Sequence, residues 1–307
     1  MFRLSVADLD SPSYFVAAAA VELGFFKQEG VDTELEVHFG AKDGPEALRD
    51  GTLHFFGGPA FAGTRAFPGW KGAKLLCALS QYSYWFLAVR ADLDIRKGDI
   101  EALKGLRLSA SPPWPILSLK YMLNDAGIDL ARDNVQIVDA VPMADWAQGQ
   151  VGIAAIRQGV ADGYWGNGMR VALGEKLGVA KLHLDLRRGD GPPGARWYNF
   201  AALTASERFV DEHPEAAAGA VRAIVKTQKA LAADPSLAAG IGQRLFPADE
   251  APLIAELIRR DTPFYQAGIS KEAVDGLNKF AVGIGLVSEA VPYERMVASQ
   301  YRNLWNG

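Results

Sequence analysis

The chain has 307 residues, 49% of them hydrophobic and 22% charged, with a formal net charge of -4. That is enough apolar material for about two domains, while the scattered Lys and Arg residues exclude a nucleic-acid surface. No apolar run approaches the roughly 18–20 residues of a membrane span. The single cysteine, Cys77, excludes an intrachain disulfide and a Cys/His metal set, and reads as a small buried residue.

The chain opens Met1-Phe2-Arg3-Leu4-Ser5-Val6, a strand pattern rather than the charged and apolar regions of a signal peptide. The location expected is cytoplasmic if Met1 is the native start, and periplasmic if a signal peptide has been removed. The first strand runs Phe2 to Ala7. Ser11 then caps a helix with Pro12 at its first position, and Gly24 stops it near Leu23. Val31 to Phe39 reads as a strand and Gly44 to Arg49 as a short helix. Leu53 to Phe56 reads as a third strand, ended by Gly57-Gly58-Pro59. A helix from Ala60 and a strand from Ala73 to Leu79 follow.

Trp85 to Arg90 reads as an apolar strand leaving the first lobe. Strands are then expected at Leu106–Leu108, Val135–Val138, Asp162–Trp165 and Lys181–Leu186. Helices alternate with them at Pro115–Ala126, Val151–Gln158 and Gly168–Leu177. The run Gly189 to Gly194, with two prolines, breaks the pattern. Asn199 to Thr204 reads as a strand returning to the first lobe. From Glu207 onward the pattern is helical: Pro214–Ala233, Leu237–Leu245, Ala251–Arg260, Lys271–Ile284 and Tyr293–Leu304. No repeat stands out. Strand and helix alternation predicts parallel-rich α/β lobes.

Four segments in this order carry a resemblance. Glu22-Leu23-Gly24-Phe25-Phe26-Lys27-Gln28-Glu29-Gly30-Val31 is one, and Ala47-Leu48-Arg49-Asp50-Gly51-Thr52-Leu53-His54-Phe55 the second. Leu103-Lys104-Gly105-Leu106-Arg107-Leu108 is the third, and Ala155-Ile156-Arg157-Gln158-Gly159-Val160-Ala161-Asp162-Gly163 the fourth. Together they resemble the NMT1/THI5-like, SsuA-like solute-binding proteins. The resemblance implies a class II periplasmic-binding-protein fold: two α/β lobes joined by two crossing strands, with lobe I at 1–87 and 202–307 and lobe II at 88–201. Most members of that family capture a small nutrient for an ABC importer, and a minority are enzymes on the same fold. Two departures bear on the enzymes. His54 stands where the family usually has Asp. The one cysteine does not fit the cysteine-rich signature of the pyrimidine synthases, and Ser11 and Ser13 occupy the loop where the family's desulfinase needs a cysteine.

In open α/β sheets, ligands sit beyond the carboxyl ends of the strands, against helix N-termini. Loops after strands therefore supply the candidates: Asp10, Ser11, Ser13 and Tyr14 after the first strand, and Gly58 and Pro59 after the third. Gln81 and Tyr82 follow the fourth. Ser111 and Trp114 lie in a proline-rich loop with few amide donors, which suits a flat or aromatic ligand. Trp165 and Asn167 follow a second-lobe strand, with Asn167 able to cap the next helix. Arg196 is the candidate counter-charge for a ligand acid, with Arg65 second. His54, placed near the carboxyl end of its strand, reads as a structural histidine, and His213, at a helix start in Asp-Glu-His-Pro, as a solvated surface residue. No catalytic set, metal site or cofactor is expected. The function expected is capture of a small organic ligand, flat or aromatic and of anionic type, in an interlobe cleft by a monomer that hands it to an ABC permease. The alternative is a cytoplasmic decarboxylase or other lyase on the same fold.

Overall fold

The computed structural model describes every residue except 10, 38–42, 112, 140–149, 249 and 307. The chain divides into two compact units, Met1–Tyr82 with Trp197–Gly307, and Ser83–Arg196. The first unit begins with β1 (Phe2–Val6), α1 (Pro12–Glu22), α2 (Phe25–Gln28), β2 (Thr33–Val37), α3 (Asp43–Asp50), β3 (Phe55–Pro59), α4 (Gly63–Ala66) and β4 (Ala73–Ser80). The second unit contains β5 (Phe86–Arg90), β6 (Arg107–Ala110), α5 (Trp114–Asp125), β7 (Gln136–Asp139), α6 (Val151–Arg157), β8 (Gly163–Gly166), α7 (Gly168–Lys176) and β9 (Ala180–Asp185). The first unit resumes with β10 (Ala201–Ser206), α8 (Glu207–Glu212), α9 (Pro214–Ala233), α10 (Leu237–Leu245), α11 (Ala251–Asp261), α12 (Lys271–Gly283) and α13 (Tyr293–Met296). Among the described residues, no helix is long and apolar enough to cross a membrane.

Each unit holds a five-stranded sheet, ordered β2-β1-β3-β10-β4 in the first and β7-β6-β8-β5-β9 in the second. The two orders are the same once each sheet is numbered from its own first parallel strand. In the first sheet only β10 runs antiparallel to its neighbours, and in the second only β5 does. Each of these is the first strand after the chain changes unit. The whole of β5 is paired with β8 and β9, and the whole of β10 with β3 and β4. The compact units thus exchange at Tyr82–Ser83 and Arg196–Trp197, ahead of both strands.

Small residues let α1 lie close on its sheet. Ala17 to Ala20 are fully buried, and a Cβ on Gly57 of β3 would sit 2.9 Å from Ala17 Cβ and 3.3 Å from a Leu79 methyl. The Gly57-Gly58-Pro59 run, expected to end the third strand, is therefore part of it, because α1 leaves no room for a side chain at Gly57 and β10 pairs with all three residues. The last expected helix also differs. It breaks after Met296, since Val297 bridges to Leu75 and the Ala298 N–H donates to the Leu75 carbonyl at 2.9 Å. The edge of β4 has captured the chain, and only a 3-10 stretch, Ser299–Leu304, follows. At Gly276 in α12, an added Cβ would lie 2.3 Å from Trp197 Cβ and 2.7 Å from the Trp197 carbonyl oxygen. Backbone on the far side makes that overlap hard to relieve, so Gly276→Ala is expected to cost about 1–3 kcal/mol in denaturant unfolding.

The two sheets also repeat a detail at their amino ends. In the second unit, Asp162 sits just before β8; its carboxylate accepts from the Arg107 N–H at 3.0 Å, and its own N–H donates to the Arg107 carbonyl at 2.7 Å. In the first unit His54 sits just before β3. Its Nδ1 accepts from the Arg3 N–H at 3.0 Å, and its N–H donates to the Arg3 carbonyl at 3.1 Å. His54 thus lies at the amino end of its strand, not near the carboxyl end, because the strand starts only at Phe55. The neutral imidazole fills the acceptor role of the missing Asp. The ring also packs edge-on against Phe2 and Phe209. Burial, then His213, Arg3 and the N-terminal amine, lower the His54 pKa. A lowered folded value means that the unfolded chain takes the proton more readily, so this contribution is present above pH ~6.5 and is lost as pH falls below it. His183, also lowered, mainly by burial, acts in the same direction. His54→Asp is expected to keep the bond to the Arg3 N–H and to flatten the fall of thermal midpoint between pH 7 and 5. An unchanged slope in that variant contradicts the assignment.

Candidate functional site

Strands β1 to β4 of the first sheet share one carboxyl edge, and β10 enters from it. At that edge the Ala7 N–H donates to the Gly57 carbonyl at 2.9 Å, and the chain turns into α1. Ser11 is the N-cap in an extended conformation (φ -88°, ψ 110°), but its side chain caps no helix N–H. The Ser11 N–H donates to Asp8 Oδ1 at 2.7 Å instead. Ser11 is 1% exposed and Ser13 fully buried, and neither hydroxyl has a hydrogen-bond partner among the described residues. The Ser80 hydroxyl, at the end of β4, is in the same state. An unpaired buried hydroxyl costs about 1–3 kcal/mol, and the first turn of a helix adds N–H groups without intrahelical partners and a positive dipole end. This chemistry suits an oxyanion. Asp8 opposes it in part, since its carboxylate takes one N–H and puts negative charge beside the turn.

Tyr14 lies buried in the same helical turn. Asp10 lies outside the described residues. Pro59 pairs with Ala201, and the space that a Gly58 Cβ would need is taken by the Phe56 ring, 2.4 Å away. Gln81 spends its amide on structure, donating from Nε2 to the carbonyls of Gln266 at 2.8 Å and Gly268 at 2.7 Å. Tyr82 adopts a positive φ of 64° and packs edge-on against Trp197 and Phe264, with ring centroids 4.9 and 6.1 Å away.

In the second sheet β6 to β9 share a carboxyl edge, and β5 enters from it. Ser111 follows β6, half-buried, with its carbonyl accepting from the Ile116 N–H at 3.3 Å. Trp114 opens α5, also half-buried. Trp165 of β8 is 2% exposed, donates its indole N–H to Ser118 Oγ at 2.8 Å and packs 6.1 Å from Trp85. Asn167 caps α7, its Oδ1 accepting from the Arg170 N–H at 3.2 Å. Arg196 sits in a short 3-10 turn, half-buried, and its carbonyl accepts from the Ser83 N–H at 2.8 Å. Arg65 is exposed in α4.

Sequence reasoning missed Arg187. It follows β9 at the carboxyl edge and is 4% exposed, with its guanidinium 4.7 Å over the Phe86 ring and its Nε 3.7 Å from Asp185 Oδ1. The available signal is an Arg pair directly after an apolar strand, just ahead of the Gly189–Gly194 breaker. Cys77 is wholly buried in β4 and burial raises its pKa, which suits packing rather than nucleophilic chemistry. Among the described residues no three His, Cys, Asp or Glu side chains converge as a metal site.

The profile of the NMT1/THI5-like family matches residues 11–238. The chain belongs to the NMT1/THI5-like family. Comparison with curated proteins gives no match. Solved structures extend the likeness to the whole fold. A putative periplasmic sulfonate-binding protein SsuA from Methylobacillus flagellatus KT superposes with a TM-score of 0.71 at 17% identity, covering 98% of this chain and 92% of that one. The alkanesulfonate-binding protein SsuA from Xanthomonas axonopodis pv. citri, bound to MOPS, gives 0.65 at 15% identity, covering 98% and 96%. The desulfurization enzyme DSZB gives 0.62 at 17% identity, covering 99% and 98%. At these identities the likeness shows the fold alone, and that fold is the periplasmic-binding-protein type expected of an NMT1/THI5-like chain. Both binding proteins and an enzyme are found on this fold, so function has to be argued from the residues.

Proposed function

We propose that the chain is a solute-binding protein that captures a small organic anion, a sulfonate or carboxylate, and presents it to an ABC importer on the periplasmic side. The observation that carries this reading is the pair of buried hydroxyls, Ser11 and Ser13, without a partner among the described residues, on the first turn of α1 at a strand carboxyl edge. Hydroxyls and helix amides recognise a charged oxygen without taking up its charge, which suits reversible binding. The sulfonate-binding and alkanesulfonate-binding proteins of like fold support the ligand class. In this reading the acidic group sits by Ser11 and Ser13, with Arg65 of the same unit as the candidate counter-charge. The catalytic alternative has the desulfurization enzyme as its support, but the one cysteine is buried in β4.

Asp8 gives a test of sign. Asp8→Asn keeps an oxygen acceptor for the Ser11 N–H and removes the charge next to the helix terminus. The affinity for a sulfonate is expected to rise by about 2- to 5-fold at low ionic strength, the size of a charge–dipole effect. Titration calorimetry measures it. A fall in sulfonate affinity would instead favour a ligand carrying a cationic group at this turn.

A further inference from the structure

Between α11 and α12 the first unit carries a strap, residues 264–268, that binds three separate parts of the same unit. The Ala78 N–H donates to the Ala267 carbonyl at 2.9 Å and the Gln81 N–H to the Phe264 carbonyl at 2.8 Å. The Gln81 side-chain amide adds the bonds to Gln266 and Gly268. These four bonds lash the strap to the end of β4. The buried Tyr265 then donates its hydroxyl to the Pro12 carbonyl at 3.0 Å, across 253 residues of sequence. Phe264 meets the Tyr82 ring, and Tyr82 meets Trp197. Tyr82 is the last residue before the chain leaves the first unit, and Trp197 the first after it returns.

We propose that Tyr265 is a positioning residue for the acidic group of the ligand. It acts through the Pro12 carbonyl, and the strap joins the first turn of α1 to the two points where the chain changes unit. The inference rests on the reading of that turn as the seat of an oxyanion. Pro12 has no N–H and the Tyr14 N–H donates to the Ser11 carbonyl at 3.0 Å, so the donors of the turn are the Ser13 amide and the two serine hydroxyls. A helical carbonyl has a second lone pair beyond its helix bond, and the Tyr265 hydroxyl takes it on Pro12, at the residue lying between the two serines. Donors aimed at a charged oxygen lose much of their strength when they swing off line. Holding Pro12 fixes the line of both hydroxyls, while Tyr265 itself touches no ligand. Gln81 and Tyr82 take their place in this account as the anchors of the strap.

The test uses the full chain and, as probes, MOPS with a panel of alkyl and aryl sulfonates and carboxylates, each paired with its alcohol isostere. Tyr265→Phe removes one oxygen and keeps the ring. Dissociation constants for the acids are expected to rise 3- to 10-fold, while those of the alcohols stay within a factor of two. Amide hydrogen exchange on the wild-type chain provides a second readout that needs no variant. Addition of an acid is expected to slow exchange both at residues 13–15 and in the strap, including the amides of Phe264 to Gly268. Equal losses for acids and alcohols, or protection confined to residues 13–15, would overturn the inference. If Ser13→Ala weakens acid binding and Tyr265→Phe does not, the inference fails and the anion seat stands. If the wild-type chain binds none of the acids, the anion seat fails and takes the inference with it.

Discussion

Replacing Ser11 and Ser13 by alanine is expected to weaken binding of an anionic ligand by roughly 10- to 100-fold for each hydroxyl, the range of a hydrogen bond to a charged group. The same changes are expected to leave the unliganded chain as stable as before, or more so. Both hydroxyls are buried without a partner among the described residues, so each carries a desolvation cost that no hydrogen bond offsets. Affinity and stability then move in opposite directions, which a purely structural pair of serines does not produce. Calorimetric titration with a sulfonate and thermal melts of the same preparations measure the two quantities. Variants that bind as well as the wild type, or that unfold more easily while unliganded, contradict the assignment of these hydroxyls to the ligand.

Asp162→Ala is expected to cost about 2–4 kcal/mol in denaturant unfolding, between the value of a charge-assisted hydrogen bond and that of a broken buried ion pair. The Asp162 carboxylate receives the Arg107 Nε at 3.0 Å, the Arg107 Nη2 at 2.9 Å and the Arg107 backbone N–H at 3.0 Å, and its side chain is 12% exposed. Its pKa is lowered, first by the hydrogen bond from the Arg107 side chain. A depressed carboxylate supplies stability above the unfolded value near 4 and loses it as pH falls further. The alanine variant should therefore lose part of the acid sensitivity of the wild type in that range. His54→Ala at the matching position of the first sheet is expected to cost less, about 1 kcal/mol, because one neutral hydrogen bond is lost there. Similar costs at both positions would show that the matching placement does not reflect matching energetics.

The alternation of strand and helix was legible because most elements carry their own signals: Ser11-Pro12 at the start of α1, Gly24 after it, and apolar runs for β4 and β5. The elements that differ were decided by distant partners. Gly57-Gly58-Pro59 reads locally as a terminator, yet α1 on one side and β10 beside it make it a strand. Tyr293 to Leu304 reads as a helix, and the free edge of β4 straightens its middle. No repeat stands out in the sequence, and the likeness of the segments ending at Phe55 and Gly163 gains meaning only from the two matching sheets. Their shared position before β3 and β8 explains why a histidine can stand where the family has an aspartate: both side chains accept one backbone N–H.

The site was legible to the level of its loops. Ser11 and Ser13 followed from a general rule about strand ends and helix starts. Most side-chain commitments were not legible. Gln81 holds the strap and Trp165 donates to Ser118, and each of these partners lies on an element that no local pattern links to it, whereas the Asn167 cap of α7, one residue ahead of its helix, was legible. Arg187 was overlooked because a Gly/Pro-rich loop downstream drew the reading toward a turn, while the stacking on Phe86 depends on the pairing of β5 with β9.

The central claim is reversible capture of a small organic anion, and one measurement addresses it most directly. A thermal-shift screen of the full chain against sulfonates, aromatic acids, pyrimidines and amides, followed by calorimetry and recovery of the ligand, reads both affinity and chemistry. A ligand at about 100 times its dissociation constant stabilises the folded state by roughly 2.7 kcal/mol, a shift readily seen in a chain of this size. The account predicts that sulfonates or carboxylates raise the midpoint, bind one per chain, come back chemically unchanged, and lose their effect in the Ser11→Ala, Ser13→Ala double variant. Stabilisation by neutral pyrimidines or amides alone, or recovery of a transformed compound, would contradict it.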